Sequence, residues 1–325
     1  PMILLALGAG FVFVPKSKDP EDQPLDIPGA LLSIVGLGAL VYAIIEGPSH
    51  GWASAETILT FGVAFIALGL FVARELTARH PMLDLRYFLG RRFSVASVGM
   101  ALTFFAMFGS FFLVAQYFQL VLGYTPLQSG LLQLPMAIVM MSIAPQVPKL
   151  VARFGAARVV PAGLTFTAIG LLAFSTLETG SSVWNVYLAI IPMAAGMATT
   201  MTPLTTLIMT SVPLGKAGVG SAMNDTTREL GGALGVAVLG TLVTTKFTSV
   251  MSPYTSRLPE AARGAAESGL PGSLQVAKAI GGEPGRILAE AAKGAFVDGL
   301  GLATTIGAVV VFTAAGRTLI DGPAA

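Results

Sequence analysis

The chain has 325 residues, of which 54% are hydrophobic and 11% are charged, and its formal net charge is +2. Soluble domains carry about 25% charged residues, so this composition excludes a soluble enzyme, a nucleic-acid-binding protein and a disordered protein. The sequence has no cysteine and two histidines, His50 and His80, in separate polar stretches. Disulfides and Cys-based metal sites are therefore excluded, and we expect no metal site and no cofactor.

The chain opens with an apolar stretch, residues 1–14, that carries no basic residue. A signal peptide needs a positive region before its apolar core and a cleavage site of small residues, and neither is found. The stretch is also shorter than the roughly 20 residues that span a bilayer. We therefore expect the end of a truncated transmembrane helix, followed by a cytoplasmic linker over residues 15–26, in a fragment of a longer protein.

Further along the chain, eight segments have the length and apolarity of membrane-spanning helices. They predict an all-α membrane protein. The predicted spans are roughly 27–46, 57–74, 94–122, 128–148, 158–177, 183–212, 217–245 and 296–316.

Basic residues are found in every second segment between these spans, which places them on one side of the membrane. If residue 14 lies inside, the short outer loops around 47–56, 123–127 and 178–182 hold no Lys or Arg. The pattern satisfies the positive-inside rule and predicts a multi-pass protein of the cell (inner) membrane. The inner segments hold Lys16, Lys18, Arg74, Arg79, Arg86, Arg91, Arg92, Lys149, Arg153, Arg158, Lys216 and Arg317.

Isolated acids near the predicted helix ends are expected to have structural roles. Asp26 precedes Ile27-Pro28-Gly29, which is typical of a helix N-cap followed by Pro in the first turn. Asp298 lies near the predicted start of the last span, and Glu178 lies at an outer helix end. We expect no transport chemistry from these three residues.

The segment 94–122 carries three phenylalanines and two glutamines on one helical face. An aromatic stripe alone is typical of lipid contact or packing, but lipid exposure would leave the two amides unsatisfied. A cavity-lining face therefore competes with a packing face. Its residues are Phe104, Phe108, Phe112, Gln116 and Gln119.

The segment 183–212 combines methionines and threonines with Pro192 and Pro203. Methionine adapts to varied apolar ligands, and proline is tolerated in membrane helices that line a cavity. Helix packing through the threonines is the alternative. The cavity candidates here are Met193, Met197, Thr200 and Met201.

Ionisable residues inside a membrane span are candidates for function by default. Asp225, Arg228 and Glu229 lie between Lys216 and Lys246, whose midpoint places Glu229 about 3 Å from the membrane midplane. Arg228 can neutralise Asp225 at i,i+3, which leaves one acid free to exchange a proton. A permanent ion-pair network and recognition of substrate charge remain the alternatives. Gly231 and Gly235 follow as a small-xxx-small pair for close helix packing.

The segment 246–294 has no long apolar run and falls outside the membrane in this topology. Its Ala-rich stretches 258–268 and 284–294 could form short amphipathic helices at the outer surface. The simpler expectation is a solvated loop without activity.

Several stretches together resemble the 14-spanner drug:proton antiporters of the major facilitator superfamily, the EmrB/QacA type. The resemblance covers nearly the whole chain and depends on the order of its pieces. These pieces are residues 25–29 (LDIPG), 81–86 (PMLDLR), 123–131 (GYTPLQSGL), Ala144-Pro145, Leu150, and the run from Ala217 to Gly235. Residues 152–158 (ARFGAAR) are similar to a second, degenerate copy of the superfamily's cytoplasmic Asp-Arg-x-Gly-Arg-Arg loop, with Ala152 in place of the acid and with Arg153, Gly155 and Arg158 as the residues that carry the similarity.

The resemblance implies a domain division. Residues 27–80 would be the two extra spans of the 14-spanner type, and residues 81–325, including the extracytoplasmic loop 246–294, would be the C-terminal six-helix half. The superfamily places its substrate site between two halves built from inverted repeats. The segments 94–122 and 183–212 would then be repeat-related cavity spans, and the missing N-terminal half would complete the transporter.

The sequence thus predicts a non-enzymatic multidrug efflux antiporter, a class associated with antibiotic resistance, that exports amphipathic or cationic drugs by alternating access. Its expected partners are the lipid bilayer, protons, small amphipathic substrates and the missing half, and no nucleic acid. A major-facilitator transporter of one metabolite, a structural membrane subunit and a membrane-embedded enzyme are the alternatives. We expect this chain alone to be unable to transport.

Overall fold

The structure is a computed structural model that describes residue 8 and residues 26–78, 81, 85–213, 217–256 and 258–321. The predicted truncated helix over residues 1–14 and the linker that follows it lie outside the described residues, apart from Gly8 and Asp26. Within the described part, eight stretches are long and apolar enough to cross a membrane, which confirms the predicted all-α membrane protein.

Twelve α-helices, connected by short turns, make up the described fold. Pro135, Pro145 and Pro148 divide the fourth span into three helices, because proline interrupts the backbone hydrogen bonding of a helix. The helices are α1 (Ile27–His50), α2 (Ala55–Thr77), α3 (Arg91–Gln116), α4 (Pro126–Leu132), α5 (Leu134–Ile143), α6 (Val147–Phe154), α7 (Ala156–Phe174), α8 (Val183–Thr210), α9 (Ala217–Thr255), α10 (Glu260–Glu267), α11 (Leu270–Ile280) and α12 (Gly282–Asp321).

Small residues bring the central helices of the bundle together. A Cβ atom at Gly163 of α7 would lie 2.9 Å from the carbonyl oxygen of Gly196 in α8. Gly231 and Gly235 of α9 lie so close to α3 that a Cβ at either position would collide with its backbone, at Ala101 and Phe105 respectively. Close backbone approach through glycine is a common way for membrane helices to pack.

The first two helices form a hairpin that is held together near the end predicted to be cytoplasmic. Asp26 caps α1 by accepting a hydrogen bond from the Gly29 amide at 3.1 Å, as predicted. The Arg74 side chain donates to both carboxylate oxygens of Asp26, with Nε at 3.1 and 3.2 Å. The hairpin rests against α9, where the Thr241 hydroxyl donates to the Ile44 carbonyl oxygen at 2.8 Å.

The segment 246–294 is folded, so the expectation of a solvated loop is wrong. Helix α9 continues to Thr255, and the 284–294 stretch is the outer end of α12 instead of a separate short helix. The stretch 258–268 does contain a short helix, α10, while α11 was not predicted. Leu270, Ser273 and Ala277 of α11 are buried because α11 packs on α10 and α12. We call α10 and α11 the outer cap.

The helix start predicted near Asp298 is also wrong. Because α12 begins at Gly282, Asp298 lies well inside this helix and not near its start. Glu178 lies in the loop between α7 and α8, where its backbone carbonyl accepts a hydrogen bond from the Tyr117 hydroxyl at 2.6 Å. The side chain of Ser182, and not that of Glu178, caps α8.

Candidate functional site

The charged cluster of α9 lies beside its glycine contact with α3. Gly235 packs on Phe105, which is near the middle of the Arg91–Val121 span. At about 1.5 Å per residue, Glu229 is therefore about 9 Å from mid-span, towards the side that the basic residues predict to be cytoplasmic. The sequence placed it closer to the midplane because it assumed that α9 ended near residue 245.

Arg228 points from α9 to α3. Its guanidinium carbon lies 4.6 Å from the centre of the Phe104 ring, and one of its terminal nitrogens lies 3.7 Å from a carboxylate oxygen of Asp225. The buried Nε atom of Arg228 has no hydrogen-bond partner among the described residues. An aromatic face attracts a cation through its quadrupole, so Phe104 supplies a contact for the guanidinium inside the bundle.

Asp225 also belongs to a polar connection between α8 and α9. The Asn224 amide donates to the Asp225 carboxylate at 3.4 Å, and the Thr205 hydroxyl of α8 donates to the Asn224 side-chain oxygen at 3.3 Å. The Asp225 side chain is nevertheless 67% exposed. One acid of the cluster is thus held by Arg228 and Asn224 at the edge of the bundle.

Glu229 differs from Asp225 in its surroundings. Its side chain is exposed, and no hydrogen bond or ion pair joins it to any residue that the structure describes. An unpaired carboxylate on a membrane helix is costly when it faces lipid, and such acids usually face a water-filled cavity or the interior of a bundle. The exposed face of α9 at Glu229 is therefore a candidate lining of a polar pathway.

The aromatic face of α3 continues this surface towards the outer side. Phe104 is buried, while Phe108 and Phe112 are 42% and 46% exposed. Gly232 of α9 lies against Phe108 with no side chain between them. The exposed aromatic rings and the exposed acid Glu229 consequently lie along the same two packed helices.

At the outer end of this face is a cavity of about 320 Å³. Phe112 and Gln116 of α3 line it, and their predicted role in binding substrate stays a prediction. Gln119 lies in the π-helical turn Tyr117–Val121 and does not line the cavity. The other walls come from α1, α9, α12 and the outer cap, and include Ile45, Gly240, Thr241, Thr244, Phe247, Phe296 and residues 268–271.

Sequence reasoning missed most of these cavity residues. Thr241 and Thr244 stand one helical turn apart in an otherwise apolar stretch of α9, and this hydroxyl pair is a pattern that could have indicated a cavity wall. Residues 268–271 could not be found in this way, because they reach the cavity only through the folding of the outer cap.

The methionine and threonine candidates of α8 lie deeper. Met193, Met197 and Thr200 are buried, and Met201 is half-buried. The hydroxyl oxygens of Thr200 and Thr103 are 3.4 Å apart, which connects α8 to α3. These side chains lie within helix contacts, and their predicted role in binding stays a prediction.

Comparison with known proteins identifies the family. Residues 2–236 match the sequence profile of the Major Facilitator Superfamily. The chain belongs to this superfamily. Its membership makes it a multi-pass protein of the cell membrane, in agreement with the eight spans found among the described residues.

Relatives within the superfamily include named drug-resistance proteins of bacteria. The chain is 36% identical to the multidrug resistance protein Stp of Mycobacterium tuberculosis, over 79% of this chain and 48% of Stp. It is 31% identical to the multidrug efflux pump LfrA of Mycolicibacterium smegmatis, over 97% of this chain and 62% of LfrA. It is 29% identical to the tetracenomycin C resistance and export protein of Streptomyces glaucescens, over 98% of this chain and 61% of that protein. The chain thus spans about half to three fifths of the length of these relatives.

The superfamily-like cytoplasmic loop lies at the turn between α6 and α7. Gly155 has a φ of 77°, a conformation that side chains disfavour, and it joins the two helices. Arg153 lies 5.2 Å from the centre of the Phe154 ring, and both Arg153 and Arg158 are exposed. The described geometry suits anchoring at the membrane surface.

The part of the chain that the structure describes contains no group of three or more His, Cys, Asp or Glu residues that could hold a metal ion.

Proposed function

We propose that this chain is the C-terminal part of a 14-spanner drug:proton antiporter that exports amphipathic, often cationic, compounds. In this proposal residues 27–80 are the two extra spans and residues 81–325 are one six-helix half. An N-terminal half, ending in residues 1–14 and joined by the linker 15–26, completes the pathway. The names of Stp, LfrA and the tetracenomycin C export protein support drug export as the function.

The exposed carboxylate of Glu229 carries the proposal. It is unpaired among the described residues and lies on α9 three residues before Gly232, which packs on the exposed ring of Phe108. Lipid contact would be unfavourable for this acid, whereas a water-filled path between two transporter halves would allow it to bind and release protons. We therefore place the α3–α9 face on that path.

The two acids then have different tasks. Asp225 is held by Arg228 at 3.7 Å and by Asn224, so it maintains the helix contact. Glu229 binds the coupling proton. A cationic substrate on Phe108 and Phe112 would be attracted by their ring faces and by ionised Glu229. Protonation of Glu229 removes that attraction and favours release.

Export follows when the two conformations of the transporter differ in their affinity for proton and substrate. The inward-facing state would hold the substrate on the α3–α9 face with Glu229 ionised. The outward-facing state would exchange the substrate for a proton, at the side where the cavity near Phe112 opens.

The test is dye efflux from cells that produce the full-length transporter, measured with and without an uncoupler. Glu229→Gln is expected to abolish uncoupler-sensitive efflux, because glutamine keeps the shape but binds no proton. Asp225→Asn is expected to reduce it less. Glu260→Gln, an exposed acid in the outer cap, is the control and should match the unaltered transporter.

Surface expression is measured in parallel, so that loss of protein is separated from loss of coupling. Uncoupler-sensitive efflux that persists in Glu229→Gln would refute the coupling role of Glu229. Failure of the unaltered full-length protein to export cationic dyes would refute drug export itself.

A further inference from the structure

A second groove lies away from the α3–α9 face, at the outer boundary of the membrane. Its volume is about 500 Å³. It is formed where the end of α7 meets α9 and α12, and one cation and one anion line it. The lining residues are Ser175, Leu177, Lys246, Val297, Asp298, Gly301, Leu302 and Thr305.

Helix contacts place the two charges at the same height. A Cβ at Gly299 of α12 would lie 3.0 Å from the Cα atom of Val243 in α9. Since α9 and α12 run in opposite directions, Lys246, three residues further out on α9, is nearly level with Asp298. From Gly235 at mid-span, Lys246 lies about 16 Å along the axis, which is the edge of a hydrocarbon core about 30 Å thick.

The two charges share the groove without pairing. Neither Lys246 nor Asp298 forms an ion pair or hydrogen bond with any residue that the structure describes. Asp298 is exposed, and Lys246 is half-buried. A groove with an ammonium group on one side and a carboxylate on the other is complementary to a zwitterionic ligand whose anion faces Lys246 and whose cation faces Asp298.

An apolar track begins directly below Asp298. Leu302, Thr305, Val309 and Phe312 follow it at helical spacing and all are exposed, with Val309 at 58% and Phe312 at 59%. From Asp298 to Phe312 the track covers about 21 Å along α12. That length suits an acyl chain that extends from the membrane surface towards the bilayer centre.

We propose that this groove binds phosphatidylethanolamine of the outer leaflet. The phosphate accepts hydrogen bonds from Lys246, the primary ammonium donates to Asp298, and one acyl chain follows the track on α12. Phosphatidylcholine has a quaternary ammonium that cannot donate a hydrogen bond to Asp298. Phosphatidylglycerol has the same phosphate but no cation for Asp298, so its headgroup keeps a net negative charge.

The experiment uses the purified full-length transporter, stripped of lipid and incubated with equal amounts of the three phospholipids. Native mass spectrometry then counts the lipid molecules retained. The unaltered protein is expected to retain phosphatidylethanolamine preferentially. Asp298→Asn is expected to lower the preference for phosphatidylethanolamine over phosphatidylcholine about tenfold, which is the loss of one charge-assisted hydrogen bond.

Lys246→Gln is expected to weaken the retention of both zwitterionic lipids, since both present a phosphate. Matched controls are Lys293→Gln on α12 and Glu260→Gln on α10, which lie outside the groove and should leave the preference unchanged. Equal retention of the three lipids by the unaltered protein, a measurement that needs no variant, would overturn the proposal. An unchanged preference in a folded Asp298→Asn protein would do the same.

Discussion

The guanidinium carbon of Arg228 lies 4.6 Å from the centre of the Phe104 ring, beside the glycines that bring α9 and α3 into backbone contact. Arg228 also reaches Asp225 on its own helix, at 3.7 Å. The arginine is therefore occupied by an aromatic ring and by one acid, and Glu229 remains outside this network. Arg228, held in this way, contributes a positive electrostatic potential near Glu229 without forming an ion pair with it.

The Arg228–Phe104 contact is tested by changing the ring. Phe104→Leu is expected to lower the free energy of unfolding by about 1–2 kcal/mol, through loss of the cation–π contact and of packing around a buried ring. Phe104→Tyr keeps the aromatic face and should cost less. Phe65→Leu removes a ring that is 65% exposed on α2 and serves as the control. Thermal unfolding of the purified transporter measures the effect, and equal stability of Phe104→Leu and the Phe65→Leu control would contradict it.

The glycine contact predicts opposite outcomes for one substitution at two positions of α9. Gly235→Ala is expected to destabilise the protein, because the new methyl group collides with the Phe105 carbonyl and forces α3 and α9 apart. At Gly240 the nearest atom, Cε1 of Phe112, lies 3.7 Å from a Cβ. Gly240→Ala should therefore be neutral or stabilising by up to about 1 kcal/mol, since alanine favours helix over glycine.

The melting temperatures of the two glycine variants provide the measurement. If the Gly235→Ala protein is as stable as the Gly240→Ala protein, α3 and α9 can move apart without loss of stability. The close contact at Gly235 would then not stabilise the fold.

The spans were predictable because the bilayer requires long apolar helices, whatever their tertiary partners. The cap at Asp26 and the packing glycines Gly231 and Gly235 were predictable for a different reason, because each depends on a local sequence pattern. The outer cap was not predictable in this way, because α11 is too short and too polar to be a span, and it buries Leu270 and Ala277 only by packing on α10 and α12.

The sequence predicted several residues of the candidate site, but it did not predict how the helix geometry arranges them. Spacing alone placed Phe112 and Gln116 on one face, and both line the cavity. The same spacing included Gln119, but the π-helical turn that begins at Tyr117 changes the helical period before Gln119 is reached. The start of α12 was misplaced because hydropathy marks where a helix enters the membrane and not where the helix begins.

The ion pair between Asp26 and Arg74 predicts that the stability of the protein depends on pH. Hydrogen bonds from Arg74 hold the pKa of the Asp26 carboxyl below its usual range, against the opposing effect of burial. Because the folded-state pKa is the lower one, ionised Asp26 stabilises the hairpin at any pH above the ordinary value of 3.8. That contribution is lost as the pH falls through the folded-state pKa.

The melting temperature of the unaltered protein should accordingly exceed that of Asp26→Asn at pH 7, and the difference should shrink below about pH 4. Glu56→Gln, which removes an exposed acid in the first turn of α2, is the control and should show a smaller difference. If the difference in melting temperature between the unaltered protein and Asp26→Asn stays constant from pH 7 to pH 3, ionised Asp26 does not stabilise the hairpin.

The cavity at the outer end of α3 predicts that two nearby glutamines differ in function. Gln116 lines the cavity of about 320 Å³ and Gln119 does not. Gln116→Leu removes an amide from the cavity wall, so it is expected to change the relative efflux of substrates that differ in hydrogen-bonding groups. Gln119→Leu, with the same change in volume and polarity three residues away, should leave the substrate profile unaltered. Both variants are measured by the efflux of a panel of dyes from cells with equal surface expression. Identical substrate profiles for the two variants would show that substrates do not pass through the cavity.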